Sequence, residues 1–192
     1  MGRPMTLPEL WILRHGQTEW NVAGRLQGLL DSPLTETGHA QAAAQGRILA
    51  GILPREVAVI SSPSPRALTT GRIAMPGQEI TQDPRLSEID LGAWQGHSLS
   101  DILATHPEVE AETDPNLWKF HAPGGESLPE MEARVRSFLA DLSGPSVLVT
   151  HGVTSRLMRC LILGLPVTAL SGLPGGQGVV HHLRDGVARV LP

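Results

Sequence analysis

An arginine, a histidine and a glycine stand side by side at Arg14, His15 and Gly16, followed by hydrogen-bonding side chains as far as Asn21. The guanidinium of an arginine offers a planar fork of N–H groups that can bind two phosphate oxygens. An imidazole can act near neutral pH as a nucleophile or as a proton carrier. This combination indicates a pocket for an oxyanion, although an Arg-His pair alone also fits an ordinary structural role.

Three short apolar runs predict buried strands, at residues 10–13, 57–60 and 147–150. Shortly after these runs come, in the same order, His15, Arg66 and His151. Ligands of open α/β sheets collect beyond the carboxyl ends of the strands. We therefore expect these three side chains to meet at one edge of a sheet.

Helices are predicted at about residues 36–51, 65–75, 128–142 and 154–163. A short strand is expected near residues 79–81, and two edge strands at residues 179–183 and 187–191. The mostly polar stretch of about residues 87–125 is expected to form a cap. The pattern predicts a single α/β domain over residues 1–192, with the cap as an insertion.

The chain has 192 residues and a formal net charge of -4, which disfavours nucleic acid and anionic membranes as partners. Its one cysteine, Cys160, excludes an intrachain disulfide and fits a reducing compartment. The start lacks the apolar core of a signal peptide, and no long uncharged apolar stretch occurs, so we expect a cytoplasmic protein. The predicted edge at residues 179–191 could pair with a second copy and form a homodimer.

Several blocks along the chain resemble the histidine phosphatase superfamily, the phosphoglycerate-mutase-like group. They are, in chain order, residues 14–21, 27–28, 31–38, 61–70, 86–96, 123–127 and 149–152. The resemblance implies a three-layer α/β/α sandwich with a mostly parallel mixed sheet and a small helical cap. It also implies a covalent phosphohistidine intermediate and no metal or other cofactor.

Carried over residue by residue, the resemblance makes His15 the nucleophile. Arg14 and Arg66 would clamp the transferring oxygens, and an imidazolium at His151 would add positive charge, so that no magnesium ion is needed. The resemblance also implies contacts to the substrate or its phosphate at Gly16, Gln17, Thr18, Asn21, Gln27, Gly28 and Gly152. The alternative is that these are ordinary turn residues.

Glu88 matches the general acid of the family, which protonates the leaving alkoxide and later accepts a proton from the attacking water. A carboxyl in this role must first be protonated, so we expect burial or the charge of the phosphate to raise the pKa of Glu88. Asp90 is the alternative acid, because positions 88 and 90 share a face of an extended segment.

The resemblance leaves a choice between a phosphatase and a phosphoglycerate mutase. Mutases that resemble this chain carry a Tyr and a Lys where Leu91 and Leu99 stand here. Between Leu86 and Ala133 the only Lys or Arg is Lys119, so the cap is expected to bring little positive charge to a second anionic group. The sequence therefore favours a metal-independent phosphomonoesterase acting on a small phosphorylated metabolite. A mutase and a catalytically silent protein that binds a phosphorylated ligand are the alternatives.

Two other features receive structural interpretations. The adjacent His181 and His182 would point to opposite faces of a strand and could not bind one ion together. Cys160 lies within an apolar helical pattern and is interpreted as a small core residue. No metal site is predicted.

Overall fold

In the computed structural model, which describes residues 7–192, the centre of the protein is a six-stranded mixed sheet. The strands are β1 (Leu10–Arg14), β2 (Ala58–Ser61), β3 (Thr81–Gln82), β4 (Ser146–Thr150), β5 (Val180–Arg184) and β6 (Val187–Leu191). Their order across the sheet is β3-β2-β4-β1-β5-β6. The first four of these strands run parallel to one another, whereas β5 is antiparallel to both β1 and β6.

Helices cover both faces of this sheet. They are α1 (Glu19–Val22), α2 (Glu36–Leu49), α3 (Pro65–Ala74), α4 (Leu99–Thr105), α5 (Leu128–Ala140) and α6 (Gly152–Leu163). Successive residues of β1 point to opposite faces. Leu13 packs in one buried cluster with Leu49 of α2. Ile12 packs in another with Met131 of α5 and Leu157 of α6. The predicted three-layer α/β fold is confirmed.

Local capping explains where the main helices begin. The hydroxyl of Thr35 accepts a hydrogen bond from the N–H of Gly38 at 3.0 Å and starts α2. The carboxylate of Glu130 accepts from the N–H of Ser127 at 2.8 Å and starts α5. Helix α6 begins at Gly152, directly after β4, and ends at Gly164 with a φ of 67°. This tight connection places the start of α6 beside the carboxyl end of β4.

The cap contains α4 and two longer 3₁₀ helices, at Pro107–Ala111 and Leu117–His121. Its buried residues Trp94, Ile102 and Trp118 belong to the same apolar cluster as α5 and α6. The cap therefore shares its core with one helical layer of the sandwich. This packing fixes the position of the cap over the end of the sheet.

Two details differ from the sequence-based expectations. Strand β5 is not an edge strand, because it lies between β1 and β6 and pairs with β1 from Leu10–Leu183 to Leu13–Val180. The sequence of β5 does not reveal its interior position, because its neighbour β1 lies far away in the chain. The short strand β3 begins at Thr81, slightly later than expected. Among residues 7–192, no helix is long and apolar enough to cross a bilayer.

Candidate active site

The loops that follow β1, β2 and β4 bring His15, Arg66 and His151 together. The backbone N–H of His15 donates to the carbonyl of Thr150 at 3.0 Å, so the loop after β1 stays joined to the end of β4. The ring centroids of His15 and His151 are 5.2 Å apart. The charge of Arg66 acts on both rings. One pocket at the carboxyl ends of the strands thus collects all three groups.

His15 is held as a neutral ring with a defined tautomer. It is 3% exposed, and burial lowers its pKa well below the ordinary value, helped by His151 and by the charges of Arg14 and Arg66. Its Nδ1 lies 2.8 Å from the carbonyl oxygen of Gly16. A carbonyl oxygen can only accept, so Nδ1 carries the single ring proton. Nε2 therefore keeps a free lone pair.

His151 is also neutral. Burial lowers its pKa well below the ordinary value, and the charges of Arg66 and Arg14 lower it further. Its Nε2 lies 2.8 Å from Oγ of Ser62, and its Nδ1 has no hydrogen-bond partner among residues 7–192. The expectation of an imidazolium at this position is therefore wrong for the protein alone, because two guanidiniums stand beside the buried ring.

Arg66 is fixed by the loop of residues 28–31. Its Nη1 donates to the carbonyl of Leu30 at 2.7 Å and to the carboxylate of Asp31 at 2.9 Å, and its Nη2 donates to the carbonyl of Gly28 at 2.8 Å. Its Nε is buried without a partner in the described part of the chain. Gly28 thus positions Arg66 through its backbone, and Arg66 keeps N–H groups for a further acceptor.

The side chain of Arg14 lies against the first residue of α6. A Cβ at position 152 would stand 3.4 Å from Cζ of Arg14, which is van der Waals contact, so the guanidinium lies directly beside this backbone. The carbonyl of Arg14 accepts a hydrogen bond from Nε2 of Gln45 at 3.0 Å. The Nε of Arg14 has no hydrogen-bond partner within residues 7–192. The guanidinium of Arg14 is therefore placed beside the start of α6, next to His151.

Glu88 is bound to the amino end of α6. Its carboxylate accepts from the N–H groups of Val153 and Thr154, both at 3.1 Å, and from Oγ1 of Thr154 at 3.0 Å. Burial raises the pKa of Glu88. These N–H donors and the charge of Lys119 lower it by a larger amount, so the pKa of Glu88 lies below its ordinary value. The expectation of a raised pKa is therefore wrong for the protein alone.

Asp90, the alternative acid, stabilises a turn of the cap. Its Oδ1 accepts from the N–H of Gly92 at 2.8 Å, and its carbonyl accepts from the N–H of Glu126 at 2.8 Å. These contacts are those of a turn residue, whereas Glu88 contacts the helix that begins directly after His151.

Thr18, Asn21 and Gln27 join α1 to the loop of His15. Oγ1 of Thr18 accepts from the N–H of Asn21 at 3.2 Å and from Nε2 of Gln27 at 2.8 Å. Oδ1 of Asn21 accepts from Nε2 of Gln177 at 3.1 Å, and the same nitrogen donates to the carbonyl of His15 at 3.0 Å. Gln177, which the sequence did not single out, thus bridges the two segments.

Gly16 and Gln17 pack against α2. A Cβ at position 16 would overlap the carbonyl oxygen of Gly38, so the His15 loop depends on two glycines in contact. The N–H of Gly16 donates to Oγ1 of Thr70 at 3.0 Å. The amide oxygen of Gln17 accepts from Oγ1 of Thr35 at 3.0 Å, which directs this side chain to the start of α2.

Two cations that the sequence-based role assignment omitted complete the site. Lys119 comes from the cap, and Arg156 lies one turn into α6. The charges of Glu88, Arg14 and Arg156 all act on Lys119, and that of Glu88 acts on Arg156. The spacing of Arg156, four residues after Gly152, could have indicated a side chain on the same helix face. Lys119 stands between Trp118 and Phe120, and this local sequence does not signal its position at the site.

The remaining reactive side chains lie in structural positions. Cys160 is buried in α6, and burial raises the pKa of its thiol to about 11. His181 is 2% exposed, whereas His182 points to the other face of β5 and stacks on Trp11, with ring centroids 5.4 Å apart. Within residues 7–192, no three His, Cys, Asp or Glu side chains are grouped closely enough to hold a metal ion.

Comparison with known proteins identifies the family to which this chain belongs. A sequence model of the histidine phosphatase superfamily (branch 1) matches residues 10–185. The chain is 36% identical over 169 residues to phosphoserine phosphatase 1 of Hydrogenobacter thermophilus, with 83% of this chain and 78% of that protein covered. It is 37% identical over 172 residues to a protein of Enterobacter sp. (strain 638) named "Probable phosphoglycerate mutase GpmB", with 84% and 77% covered.

A solved structure extends the likeness to three dimensions. The structure of a mycobacterial glucosyl-3-phosphoglycerate phosphatase in complex with VO3 superposes with a TM-score of 0.78 at 33% identity, covering 95% of this chain and 96% of that one. The region matched by the family contains both pocket histidines, both pocket arginines and Glu88. The chain is thus a histidine phosphatase, a member of branch 1 of the histidine phosphatase superfamily.

Proposed function

We propose that this protein is a metal-independent phosphomonoesterase that hydrolyses a small phosphorylated metabolite through a phosphohistidine on His15. The observation that carries the proposal is the buried position of that ring together with the hydrogen bond of its Nδ1. His15 is neutral, its Nδ1–H is bound by the carbonyl of Gly16, and its Nε2 has a free lone pair. A nucleophile prepared in this way needs no separate base to remove a proton.

The neighbouring N–H groups suit the transferred phosphoryl group. Nε of Arg14 and Nε of Arg66 are buried donors without partners in the described part of the chain, and each belongs to a guanidinium. Nδ1 of His151 also has no partner there, and it can donate to the phosphoryl group in the tautomer whose Nε2 accepts from Oγ of Ser62. Phosphoryl transfer depends on positioning and on neutralising the equatorial oxygens, which preorganised cations can supply.

In the first step, Nε2 of His15 attacks phosphorus in line with the ester oxygen. The N–P bond forms as the P–O bond to the alcohol breaks, and the leaving oxygen takes a proton from the carboxyl of Glu88. The bound phosphate brings negative charge beside Glu88, which raises the pKa of this carboxyl from its lowered value in the protein alone. The substrate thereby favours the protonated acid that the step consumes.

In the second step, a water molecule attacks the phosphohistidine. The carboxylate of Glu88 accepts a proton from the water as its oxygen bonds to phosphorus. The N–P bond breaks, its electron pair returns to Nε2 of His15, and inorganic phosphate is released. The enzyme regains a neutral His15 and a protonated Glu88, so the cycle balances in atoms and charge.

A phosphoglycerate mutase is the second candidate, because several relatives carry that name and because Lys119 and Arg156 bring more positive charge to the site than the cap sequence indicates. Both candidates would use His15. They differ in whether the phosphoryl group passes to water or to a second hydroxyl of a phosphorylated sugar acid.

The deciding experiment measures phosphate release from a panel of phosphate esters in EDTA, with isomerisation of 3-phosphoglycerate in the presence of 2,3-bisphosphoglycerate followed in parallel. We expect metal-independent release together with an acid-labile phosphoenzyme that is absent from His15→Asn. Isomerisation faster than release would establish the mutase. Phosphoenzyme on His15→Asn, or activity that requires a metal ion, would overturn the proposed mechanism.

A further inference from the structure

Gln177 lies in the loop before β5, and its side-chain amide joins the segment of the proposed nucleophile to α1. Its Nε2 donates to the carbonyl oxygen of His15 at 3.0 Å and to Oδ1 of Asn21 at 3.1 Å. A backbone carbonyl oxygen can only accept, so the atom of Gln177 that faces His15 is the nitrogen. Both N–H groups of this amide are therefore used, one on each acceptor.

The amide of Asn21 also has a defined orientation. The backbone N–H of Thr18 donates to Oδ1 of Asn21 at 3.1 Å. Because a backbone N–H can only donate, this contact identifies the oxygen of the amide, and the donor from Gln177 occupies the second lone pair of the same atom. Nδ2 of Asn21 has no acceptor in the part of the chain that the structure describes, so its two N–H groups remain available for a ligand.

The bond from Gln177 adds a constraint that the bond from Thr18 does not provide. A single hydrogen bond to Oδ1 would allow the amide of Asn21 to turn about that bond. The second donor comes from another direction, and it belongs to a nitrogen that is also bonded to the backbone of His15. One nitrogen atom thus fixes the amide of Asn21 relative to the residue that carries the proposed nucleophile.

The loop that carries Gln177 is itself fixed to α6. Nε of Arg156 donates to the carbonyl of Leu173 at 3.3 Å, and Nη2 of Arg159 donates to the carbonyl of Pro174 at 2.8 Å. Arg159 is buried, so its hydrogen bond is shielded from water. The loop then continues into β5, which pairs with β1. Gln177 is therefore supported from both ends of its loop.

We propose that Gln177 is a positioning residue for phosphoryl transfer, which fixes the amide of Asn21 so that Nδ2 donates to the phosphoryl group on His15. This inference rests on the proposed phosphohistidine mechanism and on the predicted phosphate contact of Asn21. Positioning matters here because a misplacement of about 1 Å can lower the rate about a hundredfold. Gln177 does not contact the substrate, since both of its N–H groups are bound within the protein.

The test compares the wild-type protein with Gln177→Met, which keeps the length of the side chain and removes its N–H groups. The measured quantities are kcat/KM for p-nitrophenyl phosphate and the inhibition constant of orthovanadate, an oxyanion that resembles phosphate. We expect kcat/KM to fall by about tenfold to a hundredfold and the inhibition constant to rise by a similar factor. The matched control is Gln78→Met, in an exposed loop beyond the end of α3 that is opposite to Arg66, and it should alter neither quantity.

A double-mutant cycle separates positioning from a general weakening of the loop. Asn21→Ala removes the amide on which Gln177 acts, so adding Gln177→Met to this variant should lower kcat/KM by less than about threefold further. A purely structural role of Gln177 would give the same loss with and without Asn21. Gln177→Glu keeps the shape of the side chain and replaces its donors by a carboxylate, so it should lose at least as much activity as Gln177→Met.

The outcomes distinguish this inference from the function on which it rests. If Gln177→Met and Gln177→Glu keep the kcat/KM of an active wild-type protein, or if the losses in the cycle are additive, the positioning role is wrong and the phosphatase assignment stands. Wild-type affinity of Asn21→Ala for orthovanadate would also overturn the inference, because Asn21 would then not contact the phosphoryl group. If the wild-type protein forms no phosphoenzyme and hydrolyses no ester, the proposed function itself fails.

Discussion

The ring of His15 lies 5.2 Å from the ring of His151, centroid to centroid, with the two planes inclined by 58°. Burial and the charges of Arg14 and Arg66 lower the pKa of both rings. Two adjacent imidazoles beside two guanidiniums would repel one another if they were protonated. Their proximity therefore keeps the proposed nucleophile neutral and ready to attack over the physiological pH range.

The neutrality of these rings can be measured by NMR on the protein without substrate. Between about pH 8 and about pH 6, the ring resonances of His15 and His151 should stay at the positions of neutral imidazole, because a histidine with an ordinary pKa of about 6.5 would titrate there. The variants His15→Asn and His151→Asn assign the two signals. Titration of either ring with a midpoint near 6.5 would contradict the buried, cation-flanked geometry.

Glu88→Gln should reduce kcat by about a hundredfold to ten-thousandfold for alkyl phosphates such as glycerol 3-phosphate. The loss should be much smaller for p-nitrophenyl phosphate, whose leaving group needs little protonation. Asp90→Asn is the matched control, since an asparagine oxygen can still accept from the N–H of Gly92. Equal losses on both types of ester, or a larger effect at Asp90, would assign the acid elsewhere.

Gly38→Ala should lower the free energy of unfolding by about 1–3 kcal/mol, because the new Cβ would overlap the carbonyl of Gln17. Helix propensity alone predicts the opposite sign, a gain of about 1 kcal/mol for alanine over glycine within α2. The displaced backbone of Gln17 should also lower kcat/KM through the loop of His15. Gly51→Ala, with nothing within 4 Å of its new Cβ, should change stability by less than about 1 kcal/mol. Denaturant titration of both variants checks the contrast.

Lys119 should give the reaction an alkaline limit. Its pKa of about 8 means that it is charged below this pH and loses its charge above it. Loss of this positive charge beside Glu88 should weaken the binding of an anionic phosphate ester, so kcat/KM should fall as the pH rises through about 8, because kcat/KM reports the free enzyme. The fall should disappear in Lys119→Arg, whose guanidinium stays charged. An equal fall in Lys119→Arg would point to a different titrating group.

The strands and helices that position the site could be predicted because their patterns are local. The run at residues 10–13 is apolar and bounded by turns, and Thr35 and Ser127 have the spacing of helix caps. The interior place of β5 could not be predicted, since no local pattern in residues 180–184 reveals pairing with β1. The four-residue helix α1 is too short to produce a periodic signal.

The pKa values in the site were harder to predict than the identity of the residues that form it. The pKa of Glu88 depends on N–H donors at Val153 and Thr154, far away in the sequence, and on Lys119 in the cap. A lone lysine is ordinarily solvated, so its residue type favours a surface position. The pKa of His151 likewise depends on two arginines that only the fold brings to it. These pKa values depend on tertiary contacts, which cannot be derived from the amino-acid composition.

The placement of β1 between β4 and β5 also constrains when the enzyme can become active during synthesis. The segment that carries His15 leaves the ribosome well before both of its strand neighbours, which are residues 146–150 and 180–184. Until residues 180–184 have emerged, β1 lacks one partner, and Gln177 cannot bridge His15 and Asn21. A nascent chain thus carries its reactive histidine in an unfinished sheet, and phosphatase activity should appear only after residues 180–184 have been synthesised and have paired with β1.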